Sequence, residues 1–510
     1  MVVDQLLEII KCLKEDVDTL KTELNRVKDL KNKPKITPGT LENNGDTEPG
    51  KKNRKKRQLK DKSTKKRKEL PSREEIVKAN DVPIEAEFKG YRPYTVQELI
   101  IHAEQIDYKL ERWRLPDGTY LEAQLPGELH DTHYGPTLRA YIIHQYHHQC
   151  VTQPLLLQQL HELGIKISSG ELDRLLTLDV EPFHQEKAGI LSAGLTVSPY
   201  IHVDDTGARH KGKNGYCTHI GNELFAWFES TAKKSRINFL ELLRQDHTDY
   251  VYNEEAFAYM ERRKLAPYIR KKIKESGLYF ATKDVLDNFL LQSKITTSRH
   301  KEIILEAGLV GSILKNGFSI DTIIISDDAG QFNVFRHALC WIHAERNIKK
   351  LIPNNEDQAK ALKDIRNKIW LLYQELKEYK KEPSGKRKQE LEATFNNLCK
   401  EKTCFHALNL QLQQLKKNQP ELLLVLDRPD IPLHNNLSES DIREYVKRRK
   451  ISAGTRSDLG RKSRDTFITL KKTGRKLGIA FWDYLNDRVR NLMVIPQLSE
   501  LILQSAATKV

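Results

Sequence analysis

Over residues 2–30 the apolar positions recur every three and four residues. With Val3, Ile10, Val17 and Leu24 at a, the d positions hold Leu6, Leu13, Leu20 and Val27. Largely β-branched residues at a with Leu at d favour a parallel two-stranded coiled coil. Asp16 and Glu23 fall at g, and Lys21 and Lys28 at the following e positions of a partner helix, so a parallel dimer gains opposite-charge pairs. The repeat then stops. Pro34, Pro38, Gly39, Gly45, Pro49 and Gly50 break any helix, and residues 31–80 read as a linker.

From residue 81 to 195 the pattern predicts a small helical unit. A helix over 137–149 follows Gly135-Pro136. Pro154 opens a second over 155–163, which Gly164 ends, and Ser168 or Ser169 caps a third over 170–178. Helix, short turn and capped helix is the pattern of helix-turn-helix DNA binders. His144, His147 and His148 cluster here without a matching ligand set, and read as surface or satisfied histidines.

Periodicity switches from helical to extended at residue 196. The stretch Tyr200-Ile201-His202-Val203-Asp204-Asp205-Thr206-Gly207 is a short apolar run closed by two carboxylates and a Gly. Thr322-Ile323-Ile324-Ile325-Ser326-Asp327-Asp328-Ala329-Gly330 repeats the form. Apolar β-branched runs closed by turn residues predict buried strands. Between them, 216–220 and 223–229 predict a hairpin across Gly221-Asn222, and 234–245 a helix. A largely helical stretch at about 246–317 reads as an insertion into the 196–345 region. Residues 346–430 carry charged helical periodicity and read as a second, all-helical insertion. Residues 431–510 hold a helix beginning near Ser438 and the closing helices. Together these patterns predict an α/β fold with large helical insertions.

Ligands collect at the carboxyl ends of strands in open α/β sheets, so two strands that each end in aspartates point to one site with shared carboxylates. Hard cations such as Mg²⁺ need oxygen ligands of this kind, and two-metal sites use them in phosphoryl transfer. On the helix after Ser438, Glu439, Arg443, Val446 and Lys447 share one side, while Glu444 lies well around it. Only one of the two glutamates can therefore face the site. Alternation along a strand does not choose between Asp204 and Asp205, or between Asp327 and Asp328. Cys340 and His343 have a loose spacing with Cys217 and His219 that could surround zinc.

Charge sharpens the picture. The net charge of the 510 residues is +15. Residues 51–68 hold twelve Lys or Arg and one Asp, +11 in all, including Lys55, Lys56 and Arg57; the rest of the chain is about +4. Such a segment, poor in apolar residues, contacts phosphates without choosing sequence. No apolar run approaches the ~18 residues of a membrane helix, and there is no charged-then-apolar leader pattern, so a cytoplasmic protein is expected. The six Cys form no Cys-x-x-Cys pair and read as reduced thiols.

Several of these pieces resemble the insertion-sequence 66 family of bacterial transposases. They are Asp204-Asp205-Thr206 after a strand, the strand ending at Asp327, Cys340-Trp341-x-His343 with Arg346, and Asn435-Asn436-x-x-Glu439 followed by Arg449-Lys450. Thr469-Leu470-Lys471-Lys472-Thr473 and Phe481-Trp482-Asp483-Tyr484-Leu485 resemble the family's closing helices. The resemblance implies a ribonuclease-H-like catalytic core with Asp204, Asp327 and Glu439 as an Asp-Asp-Glu triad holding two Mg²⁺ (or Mn²⁺) ions. It implies cleavage at transposon ends and strand transfer into target DNA. Lys447, Arg448, Arg449 and Lys450 would hold the DNA backbone, and the coiled coil would pair protomers as a homodimer or higher synaptic oligomer, nucleoid-associated in a bacterial cytoplasm. A nuclease without strand transfer, and a non-catalytic DNA-binding dimer, are the alternatives. The chain departs from relatives that carry a Cys-rich zinc segment after the coiled coil.

Overall fold

The computed structural model describes residues 73–508 apart from 81, 82, 84, 130 and 131. The expected coiled coil and the Lys55, Lys56 and Arg57 cluster lie outside the described residues. Residues 1–96 and 97–510 form two separate units. The described residues of the first unit carry no helix or strand.

The second unit opens extended rather than helical. Strands β1 (Arg112–Arg114) and β2 (Tyr120–Glu122) form a small antiparallel hairpin, with Gly118 at φ 85° in its turn. Pro116 and Gly118 oppose a helix here, which corrects the helical expectation for residues 97–135. Helices begin with α1 (Pro136–Ile143), which runs into a π-helical turn at His144–His148. Then come α2 (Gln153–Glu162) and α3 (Ser169–Thr177); the Ser168 hydroxyl accepts the Glu171 amide at 3.1 Å and caps α3. Leu156, Leu160, Leu172, Leu175 and Leu176 form a small core of their own. Helix α4 (Glu181–Val197) differs: its Phe183, Ile190, Leu191 and Leu195 join the core of the sheet.

That sheet has five strands in the order β5-β4-β3-β8-β9. Strands β3 (Tyr200–His210), β4 (Lys213–Gly221) and β5 (Ala226–Thr231) form an antiparallel meander. Strand β3 does not turn at Asp204-Asp205-Thr206-Gly207 as expected. Continuous pairing from His202–Gly221 to His210–Lys213 carries it through, and the turn falls at Lys211-Gly212, φ 47° and 77°. Two positive φ angles suit the twist of a two-residue hairpin. Between β4 and β5 the chain needs four residues rather than two, closed by the Asn222 amide on the Phe225 carbonyl at 3.0 Å.

Helix α5 (Arg236–Arg244) follows, capped by Ser235. A helical layer comes next: β6 (Tyr250–Val251), α6 (Glu254–Arg262), α7 (Pro267–Ser276), β7 (Tyr279–Phe280), α8 (Lys283–Gln292) and α9 (Ser298–Lys315), with β6 and β7 paired. It shares the main core through Tyr250, Met260, Ile269 and Ile304. Helix α9 comes so near β6 that a Cβ at Gly311 would overlap the Val251 carbonyl.

Strand β8 (Ile323–Ser326) then lies parallel to β3, and β9 (Arg336–Leu339) parallel to β8. Helices α10 (Trp341–Lys349), α11 (Glu356–Tyr379), α12 (Gly385–Lys400), α13 (His406–Lys417) and α14 (Gln419–Leu422) build a second core against Ile323 and Ile325. The last four helices are α15 (Asn436–Ser452), α16 (Asp458–Lys476), α17 (Phe481–Val489) and α18 (Leu498–Ala507). Helix α16 covers the β5 edge. Among the described residues no helix is long and apolar enough to cross a membrane.

Candidate active site

Strands β3 and β8 pair in register from Tyr200–Ile323 to His202–Ile325. Two further residues along each strand bring Asp204 level with Asp327, just where β8 ends. Residues level with each other in a parallel pair point to the same face. The register thus aligns the first aspartate of each doublet. Asp327 accepts the Ala329 amide at 3.1 Å, which turns the chain out of the strand.

Glu439 enters from α15. Its amide donates to the Asn435 carbonyl at 3.2 Å, in the first turn of the helix. Its carboxylate lies 3.0 Å from Arg346 Nη1 and 3.4 Å from His343 Nε2, both on α10. Helix α15 is bolted down by polar contacts. Ser438 is bonded to His219 Nδ1 at 2.7 Å, and Asp441 lies 3.3 Å from His219 Nε2 and 2.8 Å from Lys476. Burial pushes the Asp441 carboxyl up, but His219 and Lys476 outweigh it and hold the group far below its usual range. Glu444 pairs with Lys471, and with Lys472 at 2.9 Å, so it faces α16 and Glu439 alone faces the carboxylates.

The electrostatics show which groups share the space. Burial pushes the Asp204 carboxyl up to about 7, and the nearby Asp327, Asp205 and Glu439 carboxylates add to it, against the Asp205 amide that donates to it at 2.8 Å. Burial lowers His343, while Glu439 and Asp327 pull it the other way. Asp205 is engaged elsewhere: it accepts from Thr218 Oγ1 at 2.5 Å and Gln331 Nε2 at 2.9 Å. Asp328 accepts from Asn418 at 3.1 Å.

These carboxylates are the hard oxygen donors a divalent cation takes. Asp204 and Asp327 lie level on adjacent parallel strands with Glu439 nearby, so the donor set suits such an ion. As they stand, no three His, Cys, Asp or Glu side chains among the described residues are drawn closely enough to hold one. The zinc arrangement of Cys217, His219, Cys340 and His343 is not assembled either. His219 is taken by Ser438, Cys340 Sγ accepts the Asn435 amide at 3.2 Å, and Cys217 sits with Phe228 and Tyr445.

Of the expected backbone-holding residues, Lys447 and Lys450 are exposed on α15. Arg449 reaches Thr206 Oγ1 at 3.4 Å and the Gly207 carbonyl on β3. Arg448 departs from the expectation. It is buried, its guanidinium lies 4.1 Å over the Tyr146 ring, and it bonds the Tyr146 carbonyl, so it joins α15 to the π-helical turn. Sequence reasoning missed the work of His202, His219 and Ser438. Their only signal is polar residues at positions that strand and helix periodicity assign to the interior.

The family model described as Transposase IS66 family matches residues 286–463, a span that holds Asp327, His343, Arg346, Asn435 and Glu439 but begins beyond Asp204. A protein of Sinorhizobium fredii (strain NBRC 101917 / NGR234), described only as uncharacterized protein y4jO, is 43% identical over 303 residues, 59% of this chain and 94% of that protein. With the carboxylate site and these two matches together, the chain belongs to the IS66 transposase family.

Proposed function

We propose that the protein is an Asp-Asp-Glu transposase that cuts DNA strands at transposon ends and joins them to target DNA. The observation that carries this reading is the register of β3 with β8, which brings Asp204 level with Asp327, with Glu439 close enough to add to the upward push that burial gives the Asp204 carboxyl. The meander β3-β4-β5 followed by parallel β8 supports reading the sheet as a ribonuclease-H-like core. In this reading Asp204, Asp327 and Glu439 hold two Mg²⁺ or Mn²⁺ ions. Such ions, when bound, activate a nucleophilic oxygen and stabilise the leaving oxygen of phosphodiester cleavage.

The chain's own residues do the rest. Partial burial of Asp204 lowers the local dielectric and would strengthen its hold on a cation. Arg346 offers a guanidinium beside Glu439 that suits a non-bridging phosphate oxygen. Lys447 and Lys450, exposed on α15, and Lys55, Lys56 and Arg57 of the linker would neutralise the DNA backbone; such contacts position the duplex without reading it. The α2–α3 pair is the candidate DNA-reading unit of the 81–195 segment. Residues 1–30 are assigned to dimerisation, which synapsis of two ends requires, and the setting is a bacterial nucleoid.

The test is strand cleavage and transfer on DNA carrying the element's end, with Mg²⁺ or Mn²⁺. Wild type is compared with Asp204→Ala, Asp327→Ala and Glu439→Ala. Cleavage and transfer by wild type alone, with DNA binding kept in all, is the expected result. Mutants that cut like wild type would place the chemistry elsewhere. Cleavage without transfer would favour a nuclease, and binding without cleavage a DNA-binding dimer.

A further inference from the structure

One fully buried side chain ties together the three segments that carry the proposed triad. Asn435 Nδ2 donates to the carbonyl of Val203, the residue before Asp204, at 2.9 Å. Its Oδ1 lies 2.8 Å from His202 Nδ1. With the amide nitrogen committed to Val203, the oxygen must face the imidazole, so His202 donates through Nδ1–H. The backbone amide of Asn435 donates to Cys340 Sγ at 3.2 Å, and the Cys340 amide donates to the carbonyl of Ser326, the residue before Asp327, at 3.0 Å. The Asn435 carbonyl accepts the amide of Glu439 itself at 3.2 Å. The chain of bonds thus touches the neighbour of each aspartate and the backbone of the glutamate.

We propose that Asn435 is the positioning residue that sets the spacing of Asp204, Asp327 and Glu439, and with it the affinity of the site for divalent cations. This rests on the triad reading above. The residue type is dictated by the two partners. A carboxamide offers a donor and an acceptor at one end, at the reach of a short side chain. Asp keeps the acceptor but loses the donor, Gln is one methylene too long for a filled core, and Ala leaves a carbonyl and an imidazole N–H buried without partners. Groups that orient ligands in this way typically change metal affinity by roughly 10–100-fold when removed.

The experiment uses the full-length protein as wild type, Asn435→Ala, Asn435→Asp and Ser230→Ala. The last removes hydroxyl contacts on β5, two strands from Asp204, and serves as a destabilised control. Fe²⁺ with ascorbate cuts a polypeptide beside a bound ion, and mass spectrometry maps the cuts; DNA nicking is titrated with Mn²⁺ in parallel. Wild type and Ser230→Ala are expected to be cut near residues 204 and 327. The two Asn435 variants should lose those cuts and need about 10–100-fold more Mn²⁺, with DNA affinity unchanged. Should Asn435→Ala not fold, the isosteric Asn435→Asp decides. Wild-type cuts and Mn²⁺ requirement in the Asn435 variants would overturn the proposal and leave the triad intact. Cuts in wild type at unrelated positions would overturn the triad reading and this inference with it.

Discussion

Arg346 Nη1 lies 3.0 Å from Glu439 Oε1, so the only carboxylate that α15 contributes to the site is held by a cation from α10. Both side chains are partly exposed, 46% and 20%, which limits what the pair adds to stability. Its consequence is functional. In the proposed reading a guanidinium there would compete with a divalent ion for Glu439 and could also take a phosphate. Arg346→Ala is therefore expected to tighten Mn²⁺ binding to the free protein by a few-fold, yet slow DNA cleavage by about 10²-fold, as removal of a preorganised charge does. Calorimetric Mn²⁺ titration beside single-turnover cleavage checks both directions. Weaker Mn²⁺ binding in the variant would show that Arg346 organises the site rather than competing in it.

In the proposed two-metal reading, proton and cation would compete at Asp204. Its folded carboxyl is raised to about 7 from an ordinary 3.8, so its favourable contribution is complete below about 4 and is lost as pH rises through 7. A cation bound there would reverse that loss. Mg²⁺ is expected to raise the melting temperature more at about pH 8 than at about pH 6, and Asp204→Asn to abolish the difference. A Mg²⁺ effect independent of pH would argue that the ion sits elsewhere.

The acid limb has the same cause, burial, acting on bases and so with the opposite sign. Burial lowers His202 and His337 to about 4 from 6.5, and both are nearly enclosed. For a depressed base, the stability it contributes is present above 6.5 and is lost as pH falls through 4. Each shift corresponds to at most about 3 kcal/mol. The melting temperature should fall steeply between those pH values, and His337→Gln should flatten part of the slope. An unchanged slope in that variant would mean that other groups govern acid unfolding.

The cluster Lys447-Arg448-Arg449-Lys450 divides by burial rather than by charge. Lys447→Ala and Lys450→Ala should weaken DNA binding uniformly across sequences, each lowering the salt slope by about one. Arg448→Ala should leave that slope unchanged and lower stability, because it empties the space over Tyr146. Salt-dependent binding isotherms for the three variants separate the two roles.

The apolar runs of β3, β4, β5 and β8 and a serine cap at 168 or 169 were legible because each rests on local periodicity, whereas periodicity left Glu439 and Glu444 open and only the family resemblance chose between them. What it did not carry depends on partners far along the chain. Asp204-Asp205-Thr206-Gly207 reads as a turn, yet β4 pairs with all of it and draws it straight. Arg448 reads as surface charge until Tyr146, some three hundred residues earlier, takes it. Asp327 at the end of β8 was legible, whereas Asp204 falls inside β3 and not at its end; the grip of Asn435 on Val203 and Cys340 was not legible, since no local rule connects those positions.

The edge of the sheet gives a last case. Among the described residues no strand lies beyond β5, and its outward amides would be left bare. Helix α16 meets them in step. Ser230 N donates to Asp465 at 2.8 Å, Phe228 N to Thr469 Oγ1 at 3.0 Å, and Ala226 N to Thr473 Oγ1 at 3.2 Å. Acceptors four residues apart on a helix recur every ~6 Å, and amides two residues apart on a strand every ~6.7 Å, so the two repeats match over three contacts. All three acceptors are fully buried. Thr469 Oγ1 also donates to the Asp465 carbonyl at 2.8 Å, which orients its lone pair toward Phe228. Thr469→Val keeps the shape but strands the Phe228 amide, and should cost about 1–3 kcal/mol, while Thr469→Ser should cost less because it keeps the acceptor. Urea unfolding of the two variants decides: equal losses would mean that the lost methyl or the packing, not the hydrogen bond, holds the helix to the edge.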